Sequence, residues 1–286
     1  MATRVKGDLA GLVVRPEAVY GTMPAAATND WYGGTLISFN DESTPDMQED
    51  PGDGTMLFDE AYSGVKDYGF SATFTVPKGS SWSKWIELAL GPGSPMGFKN
   101  ELSSFSIEAS VASDEHLLYK GCKIDKLDVK ADLGQRMEMS VTAFAQSKTI
   151  GATRTIPKLT KPTAGPVRKT ARLKYNGVDT KDKTLTISIS RALQKEAGPV
   201  GSDVVAAGLD SVPTAADATF TFTETSASSA WDILKAAGTT GKTAAITIDG
   251  KTIGSVDCYF PGTDNPNRVQ GSYDETITLK AKDMSV

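Results

Sequence analysis

The chain has 286 residues, 39% of them hydrophobic, with 27 glycines and charges of both signs. This is the length of about two domains and the composition of an ordered globular protein. A net charge of −5 argues against a dedicated nucleic-acid binder, which draws its affinity from a strongly basic surface, and no stretch approaches the roughly 20 apolar residues of a membrane-spanning helix.

Near the start, LAGLVV is an apolar run of six residues closed by Arg15. A secretory leader core needs about 7 to 15, so retention in a cytoplasm is expected. DESTPDMQEDPGDG (41–54) then gathers Asp41, Glu42, Asp46, Glu49, Asp50 and Asp53 with no basic residue. It lacks the ligand spacing of a calcium loop and reads as a long solvated loop between strands, or as a docking element. FSATFTV (70–76) alternates as a strand. SWSKWIELAL (81–90) instead places Trp82, Trp85, Ile86 and Leu88 three and four apart, the stripe of a short amphipathic helix stopped by Gly91-Pro92.

From there the period returns to two. SSFSIEASV puts Phe105, Ile107, Ala109 and Val111 on one face and Ser104, Ser106, Glu108 and Ser110 on the other. LDVKA and MEMSVTAFA alternate around a turn at Gly134 and predict a hairpin over 123–145. The only histidine, His116, precedes a strand and has no companion histidine or thiolate nearby, so no metal site is expected. Residues 149–178 contain three prolines, seven basic residues and no acidic one, which marks a linker at its start.

Beyond the linker, TLTISIS, AAITID, VDCYF and ETITLKA are further half-buried strands. SAWDILKAA (229–237) is a second short helix, with Trp231 on its apolar face and Gly238 as its stop. DATFTFT followed by Trp231 repeats SATFTV followed by Trp85 at a separation of 146 residues. AAGTTGKT (236–243) resembles a phosphate-binding loop, but it leaves a helix and enters a strand, the reverse of what phosphate binding requires. Cys122 and Cys258 sit in strand-like surroundings, and two buried reduced thiols are expected over a disulfide. No nucleophile elbow or paired carboxylate motif stands out, so no catalytic residue, metal or cofactor is assigned. The fold expected is mainly β: two related domains, 1–155 and 166–286, joined by a linker at 156–165, each with one short flanking α-helix.

The arm EAVYGTMPAA (17–26), GFSATFTVPKGSSWSKWIELALG (69–91), SFSIEASVASDEHLLYKGCKIDKLDVKADLGQRMEMSVTAFAQS (104–147) and the run from TLTISIS to SYDETITLKAKD together resemble the major tail tube proteins of long-tailed bacteriophages. The resemblance implies tandem β-sandwich or barrel domains polymerised as stacked rings, a virion-tail conduit assembled in the host cytoplasm. The implied partners are further copies of the chain, a tape-measure protein, and tail terminator and tail-tip proteins, with DNA passing through without specific binding. Two domains per chain favour a trimeric ring of pseudo-six-fold symmetry over a hexamer. An N-terminal arm (1–36) and the acidic loop become stacking elements. Asp46, Glu49, Asp50 and Asp53 are the expected complement of Arg154, Lys158 and Lys161, within a basic segment that also includes Arg168 and Lys169, on another copy. Glu138, Ser140, Thr142, Glu275, Thr276 and Thr278 are expected along the lumen. The alternatives are the tube of a contractile or secretion-type injection apparatus, or a carbohydrate-binding β-sandwich. The latter would display aromatic residues on loops, and here only Trp31 is in a loop-like context.

Overall fold

A computed structural model describes residues 11–25, 29–43, 47–50, 60–63, 67–76, 81–92, 101–110, 115–160, 165–180, 182–195, 209–211, 217–225, 241–259 and 274–284. The first half contains β1 (Gly11–Pro16), β2 (Trp31–Asp41), β3 (Met47–Asp50), β4 (Glu60–Ser63), β5 (Tyr68–Thr75), α1 (Ser81–Leu90), β6 (Phe105–Ser110), β7 (His116–Lys130), β8 (Glu138–Ala145) and β9 (Ser147–Gly151). The second contains β10 (Lys174–Tyr175), β11 (Val178–Asp179), β12 (Asp182–Ser190), β13 (Leu193–Lys195), β14 (Leu209–Ser211), β15 (Asp217–Thr225), β16 (Lys242–Ile248), β17 (Lys251–Tyr259) and β18 (Asp274–Ala281). The chain is mainly β, as expected. The second helix expected at 229–237, and Trp231 with it, lies outside the described residues.

Antiparallel pairing in the first half runs β1-β6-β7-β8-β5-β2 and returns to β1, closing a six-stranded barrel. Closure removes the strand edges along these ladders, and only the part of β2 beyond Thr35 runs past the pairing with β1. The second half pairs in the corresponding order, β10-β16-β17-β18-β15-β12. There β10 also pairs with β11, which leads into β12 after two residues. Together β11 and β12 therefore occupy the place of β2.

Irregularities recur at matching points. Phe105 pairs with Cys122 and Ile107 with Tyr119, one extra residue falling on β7. Lys242 pairs with Cys258 and Ala244 with Ser255, the extra residue falling on β17. The two cysteines thus hold equivalent bulge positions. A second bulge sets Ser38 against Thr73 and Leu36 against Phe74, and its counterpart sets Thr184 against Thr223 and Asp182 against Glu224. By these ladders Thr73 corresponds to Thr223, 150 residues on, and not to Thr219 as the 146-residue repeat suggests. A slip of four residues is even, so it keeps every side chain on its face and is invisible to an alternating pattern.

The halves share one sheet. Lys126–Lys130 of β7 pair with Ser190–Thr186 of β12, and the ladder continues as Ala131 N donates to Leu185 O at 2.8 Å and Leu133 N to Lys183 O at 2.9 Å. An apolar row crosses this seam unbroken through Phe74, Met139, Val129, Ile187, Phe220 and Leu279. All six are buried.

In the first barrel α1 packs through Trp82, Trp85, Ile86 and Ala89, each fully buried. The Trp85 indole lies 5.1 Å from both Trp31 and Phe74 and donates to Gly33 O at 2.9 Å. Gly33 is required there, because a Cβ would come within 2.9 Å of the indole and 3.1 Å of Val14. Trp31, expected in a loop, opens β2 and is 5% exposed. The arm expected over 1–36 is correspondingly shorter, since Gly11–Pro16 and the stretch from Trp31 onward are barrel strands. Glu17 holds the following turn down, accepting from Gly21 N, Gly121 N and the Ser106 hydroxyl.

β6 departs from the half-buried strand expected. Ser106, Glu108 and Ser110 are as buried as their apolar neighbours: Ser106 bonds Glu17, and the chain after β9 folds over Glu108 and Ser110. Glu108 accepts from Thr155 N and Ile156 N at 2.8 and 2.7 Å. Ile156, in the expected linker, is buried with Val13 and Leu118. The linker start is therefore packed onto the first barrel.

Where the chain enters the second half, Arg168 and Asp182 form a fully buried ion pair. Arg168 also donates to Ala131 O (2.7 Å) and Asp182 O (3.0 Å), while Asp182 accepts from Leu173 N and the Thr180 hydroxyl. Arg168 thus ties the end of β7 to the start of β12. Removing one member of a buried pair strands the other charge. Arg168→Ala is expected to cost about 3–5 kcal/mol. Arg168→Met with Asp182→Leu is expected to recover most of it, as read from urea midpoints of the three proteins.

Candidate functional site

The strands β5-β8-β7-β12-β15-β18 form a continuous antiparallel surface across both halves. One face is the apolar row described above. Strand alternation puts every second residue on the other face, where the ladders align them into rows. One row is Thr75, Glu138, Lys130, Thr186, Thr221 and Thr278, and the next is Thr73, Ser140, Asp128, Ser188, Thr219 and Lys280. A third is Ser71, Thr142, Lys126, Ser190 and Asp217.

Of these 17 residues 11 are serine or threonine, and the other six are three lysines and three carboxylates. The hydroxyls bond to one another across strands. Thr73 and Ser140 lie 2.9 Å apart, Thr221 and Thr278 3.1 Å, and the Ser188 hydroxyl donates to Asp128 at 2.6 Å. Cross-strand Thr and Ser pairs of this kind add a few tenths of a kcal/mol each. They also leave the face without an apolar patch. Each lysine sits beside a carboxylate: Lys126 is 3.0 Å from Asp128, Lys130 3.5 Å from Asp132, and Lys280 3.7 Å from Asp217.

The structure brings five of the six expected lumen residues onto this face, namely Glu138, Ser140, Thr142, Thr276 and Thr278. Glu275 pairs with Glu224 in the same ladder, and its side chain lies outside the described residues. Sequence reading missed Lys126, Asp128, Thr186, Ser188, Thr219 and Thr221. Alternation within each strand was visible for these residues, but the non-local pairing of β7 with β12 that aligns them was not.

The acidic segment is a hairpin at its centre. Glu49 and Asp50 lie in β3, paired with Ala61 and Glu60 of β4, while Asp46 and Asp53 are outside the described residues. The β13–β14 hairpin stands at the corresponding place in the second half, between β12 and β15. At the base of the acidic hairpin, Asp41 accepts from Tyr119 Oη at 3.0 Å and Ser43 N at 3.1 Å and pairs with Lys148 of β9. Among the basic residues expected to complement the acidic segment, Arg154 donates to the Ser110 hydroxyl and Lys158 is exposed. Lys161 is outside the described residues. Arg168 is a correction: it is 1% exposed and spent on Asp182, so it is not a surface docking charge.

Both cysteines are free and buried. Burial pushes the Cys258 thiol up to about 11 and that of Cys122 well above its ordinary value, which makes both inert thiols. Among the described residues no group of histidine, cysteine and carboxylates is placed to hold a metal.

Over residues 7–281 the sequence matches the family described as phage tail tube protein, and the chain belongs to that family. No individually curated protein matches it.

One electrostatic prediction follows from the hairpin base. Burial raises the Asp41 carboxyl, but the bonds from Lys148, Ser43 and Tyr119 outweigh it and leave the group below its ordinary value. A lowered carboxyl contributes stability above its unfolded value near 4, and that contribution is lost as pH falls through the folded value. Asp41→Asn should therefore lower the urea midpoint at pH 7, by an amount that shrinks steadily as the pH is taken below about 4.

Proposed function

We propose that this phage tail tube protein closes its ring from three copies, the two halves of each chain filling two of six equivalent positions, and that the hydroxyl-rich face lines the bore. The carrying observation is the matching strand order of the two halves joined through one ladder, β7 to β12. That seam serves as the template for the seam between chains. In the first half, the edge of β2 beyond Thr35 pairs with β5 alone among the described residues. The equivalent edge of β12 is covered by β7. On the open edge Ile37 is 56% exposed, and an exposed apolar edge strand invites pairing with another chain. In the ring the second half of a neighbouring copy covers it.

The remaining roles belong to the same proposal. The acidic hairpin projects from the strand that ends at Asp41 and docks on the basic stretch around Lys158 of a copy in the next ring, its charges steering the approach. Tape-measure, terminator and tip proteins meet the bore and the two ends of the stack, with assembly in the host cytoplasm. The role is structural, without catalysis. The buried positions of Trp31, Trp82 and Trp85 weigh against a carbohydrate platform, which presents its aromatic rings to solvent.

Negative-stain microscopy of the purified chain at high concentration tests the reading. Rings and tubes with a central channel are expected, and persistent monomers would refute it. Ile37→Lys should keep the fold, as judged by circular dichroism, yet abolish rings. Reversing Asp46, Glu49, Asp50 and Asp53 to lysine should leave single rings that do not stack. Normal tubes from that variant would remove the charge-docking role.

A further inference from the structure

The lysines of the hydroxyl-rich face are water-facing, with Lys126, Lys130 and Lys280 being 52%, 59% and 43% exposed. Three exposed ammonium groups on one sheet would ordinarily make a phosphate-binding surface. Each, however, has a carboxylate within 3.7 Å, and Lys130 also stands directly opposite Glu138. Every other member of the three rows is an uncharged hydroxyl. Ammonium and carboxylate this close lie well inside the screening length of about 8 Å at physiological salt. Their fields therefore largely cancel at the distance of a passing phosphate, and little counterion release is available to reward binding.

We infer that this face is a masked polyanion surface, on which Asp128, Asp132, Glu138 and Asp217 withhold the three lysines from the phosphates of a nucleic-acid duplex. This rests on the reading of the face as the bore lining. It assigns the carboxylates a definite task, which is to keep a conduit from holding its cargo. A wall of carboxylates alone would repel the duplex and repel itself across strands. A wall of lysines alone would retain the duplex. The paired wall does neither, and the hydroxyls keep it wetted.

The test uses the folded full chain at low concentration, before assembly, with a short fluorescent DNA duplex followed by anisotropy. The isosteric variant Asp128→Asn, Asp132→Asn, Glu138→Gln, Asp217→Asn keeps a hydrogen-bond acceptor at each site, including the one used by Leu185 N. It is expected to bind the duplex, and to lose roughly 40-fold in affinity between 50 and 200 mM salt, as about three phosphate contacts require. The unsubstituted chain is expected not to bind. Adding Lys126→Gln, Lys130→Gln and Lys280→Gln to the variant should abolish the gain.

Equal binding by the unsubstituted chain and the variant, or no gain by a variant with unchanged circular dichroism, overturns the inference. Assembled tubes separate it from the reading beneath it. Variant tubes that retain duplex in a pelleting assay uphold both. Variant subunits that bind while variant tubes retain no more duplex than unsubstituted tubes uphold masking and refute the placement of this face in the bore.

Discussion

The pairing of Lys126–Lys130 with Thr186–Ser190 is the constraint on which the rest depends. β7 is long enough to serve two partners along one edge, β6 through its first half and β12 through its second. Without that length, the two halves would hang on a linker and their relative position would be set by chain entropy. With it, the backbone ladder, the apolar row beneath it and the hydroxyl rows above it all cross from one half to the other. The Arg168–Asp182 pair locks the corner where the chain turns into this seam. A buried pair contributes little net stability, so its value there lies in fixing one register.

The matching strand order of the halves and the continuity of their ladders together explain the difference between the two faces. The apolar face keeps Phe, Met, Val, Ile and Leu in register so that each strand covers its neighbours. The polar face has no such requirement of shape and is paved by the shortest side chains able to satisfy one another across strands. Short hydroxyls also keep a wall smooth, while the few long side chains on it are paired. The two hairpins that differ most between the halves pair outside this sheet. The acidic β3–β4 hairpin and the less charged β13–β14 hairpin occupy the same topological position, so equivalent places in the two halves carry different charge.

Much of the fold was legible in the sequence because period-two alternation reports directly on one buried and one wet face. The β7–β8 hairpin around Gly134 and the burial of Cys122 and Cys258 were readable in this way, and helix α1 with its two tryptophans was readable from apolar spacings of three and four. Alternation fails where a wet face is later covered. Ser106, Glu108 and Ser110 read as solvent-facing, but Glu17 bonds the first and the return of residues 154–156 covers the other two. It also fails for long-range register. The four-residue slip between the apparent repeat and the bulge equivalences preserves parity, and neither Arg168 nor the open edge at Ile37 has a local signature. The candidate site was half visible for the same reason: its strands could be read one by one, but the seam that aligns them could not.

If one chain supplies two of six ring positions, the mass of a single ring under native conditions shows it most directly. With a chain of 30.2 kDa, three copies weigh about 91 kDa and six about 181 kDa. Native mass spectrometry of single rings from the variant with the acidic hairpin reversed should give the smaller mass. A ring of six chains would contradict the account, since each chain would then fill one position and the seam between its halves would not be the template for ring closure.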